Sequence, residues 1–191
     1  MGNREDLLAG ARRVIMERGV AKATARDIAA ASGVSLAAIG YHFGSKDELI
    51  SAALAESLGS GIGDAMEAIV QETASLPLLT GFAALFDRMP EIFEANREAL
   101  LASLENSVRM TRGEGPSRAL TDATDQAHLG IVEVLRSARP DIGEADLSAI
   151  AKLDFVLVQS LGLMWLVSPE SLPTGEELAR AVAALAADAP A

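Results

Sequence analysis

The sequence predicts an all-α protein of about nine helices, a small three-helix head followed by a larger helical body. Three observations carry this. Half of the 191 residues are hydrophobic but only 4% are aromatic, and the apolar set is mostly Ala, Leu, Ile and Val. Ala and Leu richness favours helix over strand. No segment shows a clean two-residue alternation of apolar and polar side chains. Residues 24–49, TARDIAAASGVSLAAIGYHFGSKDEL, read as two short helices around a Gly-Val-Ser turn and the opening of a third.

The first helix is expected over about residues 4–18. Leu7, Leu8, Ala11, Val14 and Ile15 keep a three-to-four spacing, and Gly19 suits a left-handed stop. Thr24 offers an N-cap with Asp27 three residues on, and the helix it starts turns Ile28 and Ala29 inward. Gly33 permits the turn, and Ser35 is expected to cap the third helix, with Ile39 and Phe43 on its inner face. Ser45-Lys46-Asp47-Glu48 opens a fourth helix whose inner face uses Leu49, Ile50, Ala53 and Leu58. The run Gly59-Ser60-Gly61-Ile62-Gly63 leaves an end, a kink or a continuation to about Thr73 open.

Pro77 suits the first turn of the next helix, and Pro90 is expected to kink or restart it. Residues 91–111 then continue helically with Ile92, Phe93, Leu100, Leu104 and Val108 inside. Arg112-Gly113-Glu114-Gly115-Pro116 reads as a loop, and Ser117 starts a helix to about Ala138. Pro140 and Gly143 break the chain before a long apolar helix, Glu144 to Val167. Thr174 and Glu177 form a capping box for a last helix to about Ala187.

There is no cysteine, which excludes disulfides, thiolate catalysis and Cys-based zinc sites. The N-terminus lacks a basic-then-apolar leader pattern, and the apolar tract Phe155–Val167 falls short of the roughly 20 residues of a membrane span. A cytoplasmic protein without a membrane partner is the expectation. Net charge is −11, unevenly spread. Residues 1–50 hold seven Lys/Arg against six Asp/Glu, or +1; the rest hold nine against 21, or −12. An acidic body repels phosphate, while the near-neutral head can approach it.

Thr24, Ile28, Ala29, Gly33, Val34, Ser35, Ile39, Tyr41, His42, Phe43, Lys46 and Leu49 together resemble the DNA-binding head of TetR-family transcriptional regulators. The resemblance covers about the first 55 residues. It implies a helix-turn-helix domain over 1–46 and an effector-binding and dimerisation domain over 47–191. A helix-turn-helix places its second helix in the major groove while flanking elements grip phosphates. That helix is about Ser35–His42, and Leu36, Ala37, Ala38, Gly40 and Tyr41 are expected on its outward side. This surface is poor in the Arg, Asn and Gln that read base edges. Thymine methyl contacts, close backbone approach at Gly40 and DNA shape are left as the routes to specificity.

The resemblance further implies phosphate contacts from Thr24, Tyr41, His42 and Lys46. Thr24 and Lys46 lie at helix N-termini, which favour anions. The expected DNA-facing set is therefore Thr24, Arg26, Ser35, Leu36, Ala37, Gly40, Tyr41, His42 and Lys46. Packing of Tyr41 on the first helix, a structural role for His42 and a purely solvated Lys46 are the competing readings. Gly40 and Ala37 depart from the family's frequent residues, so a base-reading role there is not carried over.

One head offers few contacts, and a two-fold dimer on a palindromic operator, with recognition helices about 34–36 Å apart, supplies more. Leu147, Ile150, Leu153, Phe155, Val158, Leu161, Leu163, Met164, Trp165 and Leu166 make residues 147–167 apolar nearly all round. Such a helix must be buried on more than one side. With Leu178, Val182 and Leu185 of the last helix it forms the expected homodimer interface, a four-helix bundle.

An unknown small, largely apolar effector is expected in the body. Candidate lining residues are Phe82, Phe86, Met89, Phe93, Leu104, Met110, Phe155 and Trp165, with Arg88, Asn106, Gln126, His128 and Gln159 as polar anchors. The selected set is Phe86, Met89, Phe93, Asn106, Met110, Gln126, Phe155 and Gln159. Aromatics at helical spacing are also what a plain core uses. Ligand-coupled repression follows, with the fourth helix as lever and glycines 59, 61 and 63 as a hinge or a simple helix break. Activation instead of repression stays open.

No cofactor or metal is expected. Catalysis is disfavoured, because His42 and His128 are the only histidines and no HExxH, G-x-S-x-G or Gly-Lys phosphate cradle occurs. The other alternative is a helical ligand-binding or interaction module that does not bind DNA.

Overall fold

A computed structural model describes residues 3–112 and 118–187. Among them there is no strand. The order is α1 (Asn3–Arg18), α2 (Ala25–Ser32), α3 (Leu36–Phe43), α4 (Lys46–Leu58), a π-helical turn (Gly59–Gly63), α5 (Asp64–Glu72) and α6 (Leu78–Ala95). Then come α7 (Arg97–Thr111), α8 (Arg118–Ala138), α9 (Glu144–Val167), a 3-10 turn (Pro169–Ser171) and α10 (Gly175–Ala187). The all-α expectation holds, with ten α-helices among the described residues. Residues 113–116 of the expected loop, and the expected helix start at Ser117, lie outside the described residues. Packing divides the chain into two compact units: Met1–Gly59 with Glu98–Gln126, and Ser60–Arg97 with Ala127–Ala191.

In the first unit, Leu7, Leu8, Ala11, Val14 and Ile15 of α1 meet Ile28 and Ala29 of α2, Ile39 of α3 and Leu49, Ile50, Ala53 and Leu54 of α4. Each fully buried aliphatic side chain contributes about 1.5–3 kcal/mol. Leu54 is buried where Leu58 was expected, and Leu58 is half-buried. Gly33 takes φ 67° and its amide donates to the carbonyls of Ala29 and Ala30, ending α2. Arg13 donates to the carbonyl of Ala31 in that last turn. α1 and α2 cross closely at Gly10, where a Cβ would lie 2.1 Å from the Ser32 Oγ and 3.0 Å from the Ser32 backbone nitrogen. From α7, Ala102 packs on the same core.

In the second unit, Leu85, Phe86, Met89, Ile92 and Phe93 form the buried face of α6, and Leu161 and Trp165 that of α9. Phe93 and Trp165 have ring centroids 6.2 Å apart. Val132, Leu135, Leu147 and Ala151 make a further cluster between α8 and α9. α10 packs closely on α6 at Gly175, where a Cβ would lie 1.9 Å from the Ala83 carbonyl oxygen. The Gly175 amide donates to Asp87 Oδ1 at 2.6 Å, so α6 supplies an anion to the positive end of α10.

Several local expectations change. Pro77 stands at the N-cap of α6, and Pro90 neither restarts nor ends the helix, which continues to Ala95. Proline removes one amide and leaves one i−4 carbonyl without its donor; Pro90 itself is exposed, so its ring lies outside the packed interior. The break falls at Asn96, whose side-chain amide donates to the Ile92 carbonyl at 2.8 Å. Val108 is exposed, on the outer side of α7. The glycine run does not end α4. It forms the π turn leading directly into α5, with Gly61 approached so closely by the Asn96 side chain that a Cβ would collide with it.

Candidate nucleic-acid interface and ligand cavity

α2, Gly33 and α3 set the geometry of the head. Thr24 caps α2: its Oγ accepts from the Asp27 amide at 3.1 Å and donates to Asp27 Oδ2 at 2.6 Å. Asp27 is further paired with Arg18 at 2.9 Å. The Thr24 hydrogen bond, opposed by partial burial and aided by the Arg18 charge, holds the Asp27 carboxyl below its usual range. The single hydroxyl proton of Thr24 is thus already engaged. Ser35 stands at the N-cap of α3 with extended backbone but makes no side-chain cap bond, contrary to expectation. Its side chain stays exposed.

On α3, Leu36, Ala37, Gly40 and Tyr41 face outward, as expected. Ala38 does not; it is 8% exposed and joins Ile39 in the core. The reason is the 3.6-residue period, which sends 36, 37, 40 and 41 to one side and 38, 39, 42 and 43 to the other. Tyr41 is 85% exposed and does not pack on α1. Its ring meets His42 edge-on, centroids 4.9 Å apart, and His42 is half-buried. Arg26 is exposed at the start of α2. Lys46 Nζ donates to the Ala23 carbonyl at 3.2 Å and lies 3.6 Å from Asp47. An ammonium carries three protons, so this tether fixes where the charge sits and leaves one donor over.

Asp47 also pairs with Arg109 at 3.0 Å. Burial raises its carboxyl, but the Arg109 hydrogen bond and charge, with Lys46, prevail and hold it below the usual range.

In the second unit a cavity of about 100 Å³ opens among α5, α6, α8, α9 and α10. Its walls include Val70, Thr73, Leu78, Leu79, Phe82, Leu85, Leu135, Arg139, Ile150, Leu153, Asp154 and Val182. None of the eight selected effector residues lines it. Phe86, Met89 and Phe93 are consumed in core packing. Asn106, Met110 and Gln126 belong to the first unit. Asn106 is buried against Ser51, Met110 is half-buried and Gln126 is exposed. Phe155 is half-buried and Gln159 is exposed. Of the wider set, Phe82 lines the cavity, whereas Leu104 and Trp165 do not. Arg88 is paired with Glu72 at 2.7 Å, and His128 is half-buried away from the cavity.

Two residues of the cavity were missed from sequence, Asp154 and Arg139. Asp154 is 3% exposed, and its Oδ1 has no hydrogen-bond partner among the described residues. Burial pushes its carboxyl up to about 7. A signal existed: Leu147, Ala151, Asp154, Leu161 and Trp165 follow the three-to-four spacing of one helix face, and a carboxylate stands among its apolar members.

A short α2, a left-handed glycine turn and an outward-facing α3, set on a three-helix core, define a helix-turn-helix protein with a separate helical unit. Residues 7–53 match the family model described as bacterial regulatory proteins, tetR family. That segment, from α1 into α4, is similar to the N-terminal domain of the family. The whole chain is similar to solved regulators. It shares 24% identity with the multidrug binding protein EbrR complexed with imidazole, covering 100% of this chain and 98% of that one at a TM-score of 0.64. For the TetR family repressor AlkX from a Dietzia species the identity is 13%, the coverage 96% and 92%, and the TM-score 0.65. A tetR-family transcriptional regulator from Streptomyces coelicolor gives 22% identity, 98% and 81% coverage and a TM-score of 0.59. These identities establish a shared fold. No curated protein sequence matches the chain.

Proposed function

We propose that this chain is a dimeric, cytoplasmic transcriptional repressor that binds a palindromic operator and leaves it when a small, largely apolar effector enters the second unit. The observation that carries the DNA-binding reading is the outward side of α3, where Leu36, Ala37, Gly40 and Tyr41 stand clear of the core. A helix presenting small and apolar groups fits the major groove closely and reads thymine methyls and DNA shape more than polar base edges. Arg26, His42, Lys46 and the Tyr41 hydroxyl supply phosphate contacts around it, with Thr24 and Ser35 at the two helix starts. The Asp27 carboxylate beside Thr24 disfavours an anion at that hydroxyl, so Arg26 carries the α2 contact.

A second copy covers α9. The helix is 24 residues long and apolar enough to cross a membrane by length and composition. Yet Lys152 and Asp154 stand mid-helix, each costing about 2.5–3.5 kcal/mol at a bilayer centre. Leu153, Val156, Leu163, Met164 and Val167 leave a stripe of exposed apolar surface on it, and Leu185 adds to this from α10. An isologous pairing of α9 and α10 buries that stripe.

The cavity in the second unit is the effector site of this reading, and the imidazole held by the similar EbrR supports a small-molecule ligand. From the head the chain runs through α4 and the π turn into α5, which lines the cavity, giving a direct covalent path for coupling. A coupling of about 1–3 kcal/mol, roughly 5–150-fold in operator affinity, is typical for such switches.

Selection of bound fragments from a random DNA library, followed by gel shifts at several salt concentrations, tests the proposal. A two-fold symmetric consensus and an affinity that falls steeply with salt are expected. Recovery of no sequence-enriched duplex would refute operator binding.

A further inference from the structure

We propose that the cavity of the second unit takes an organic cation with a small apolar body, its protonated nitrogen seated against the carboxylate of Asp154. The inference rests on the regulator reading only in placing the effector site there. Four observations carry it. The walls are mostly aliphatic, from Val70, Leu135, Ile150 and Leu153, with Phe82 as the aromatic. Asp154 is 3% exposed on the inward face of α9, and its Oδ1 has no partner among the described residues. An unpaired buried carboxylate costs several kcal/mol, and a charged donor relieves it. The other polar groups of the wall are spent. The Thr73 hydroxyl donates to the Ile69 carbonyl at 2.8 Å. Arg139 holds Asp141 in a two-point pair, at 3.0 and 2.8 Å.

Arg139 is the other charged side chain lining the cavity among the described residues, and with Asp141 it is neutralised in place. It therefore offers little to an anion, and the unmet valence of the cavity is an acceptor. A cavity of about 100 Å³ limits the body of the ligand. An apolar cavity of roughly 150 Å³ is filled by benzene, so this one suits a branched alkyl group of a few carbons.

The test uses isopentylamine, its neutral isostere isopentanol and the anion isovalerate, titrated into the full-length protein without DNA and followed by NMR shifts. The amine is expected to bind at least tenfold tighter than either analogue, and Asp154→Asn, checked for folding by circular dichroism, should abolish that preference. Amine affinity should rise roughly tenfold from pH 6 to pH 8 as the carboxyl ionises, which provides a readout in the unaltered protein if the variant does not fold. Equal binding of the alcohol or the anion, an unchanged preference in Asp154→Asn, or no saturable amine binding would overturn the proposal. Gel shifts read operator binding separately, so loss of the cation site would leave the regulator reading standing.

Discussion

The side-chain amide of Asn106 donates to the hydroxyl of Ser51 at 2.9 Å, joining α7 to α4 in the interior of the first unit. Fifty-five positions separate the two residues in sequence. Both are buried, and Arg109 extends the link by donating to Asn106 Oδ1 at 2.9 Å while pairing with Asp47. This polar path clamps the start and middle of α4, the helix that follows the outward-facing α3. Asn106→Ala strands the Ser51 hydroxyl and should cost about 1–3 kcal/mol. Thermal unfolding should register a fall of about 2–4 °C per kcal/mol. The double variant with Ser51→Ala should lose less than the sum of the two singles, which a double-mutant cycle measures.

Tyr41 separates DNA binding from stability. Because it is 85% exposed, Tyr41→Ala should change unfolding free energy by no more than about 0.5 kcal/mol. Operator affinity in a gel shift should nevertheless fall tenfold or more. Tyr41→Phe reports the hydroxyl alone and should lie between the two.

The apolar stripe on α9 gives a test of assembly. Val156→Glu combined with Leu163→Glu places charges on surface that is exposed within one chain, so the fold should survive. Sedimentation should show a dimer for the parent and a monomer for the variant, and operator affinity should drop by at least a hundredfold. A parent chain that sediments as a monomer at micromolar concentration would remove the dimer from the proposal.

Asp154 makes stability depend on pH in the direction opposite to most carboxylates. Burial pushes its carboxyl up to about 7 in the folded chain, against 3.8 for an ordinary, solvated aspartate. Between those values the folded state holds a proton that the unfolded state has lost, so stability falls as pH rises from about 4 to 7. The full difference is roughly 4 kcal/mol at pH 8. Asp154→Asn should flatten this slope and unfold at a higher temperature than the parent at pH 8, with little advantage at pH 4. Melting curves across that range check it.

Much of the head was legible in the chain because its rules are local. Thr24 with Asp27, Gly33, and Ser45 with Glu48 act within three or four residues, and each forms the expected cap or turn. Ala38 was misplaced because a run of small residues gives little contrast in polarity, although the 3.6-residue period puts it beside Ile39 on the core side. The cavity was not legible in the sequence for a related reason. Aromatic and Met side chains at helical spacing signal burial, and Phe86, Met89 and Phe93 are indeed buried. They fill space, whereas a cavity forms where α5, α6, α8, α9 and α10 leave it unfilled.

By itself, the sequence determined the helical class, the order of the head helices and the outward position of Leu36, Ala37, Gly40 and Tyr41, because capping and a 3.6-residue period act over one or two turns. Tertiary structure alone decided that Asn106 meets Ser51, that Gly175 admits α10 onto α6, and that Asp154 faces a cavity beside a neutralised Arg139. Those relationships join residues from separate helices, and no local period encodes the distance between them.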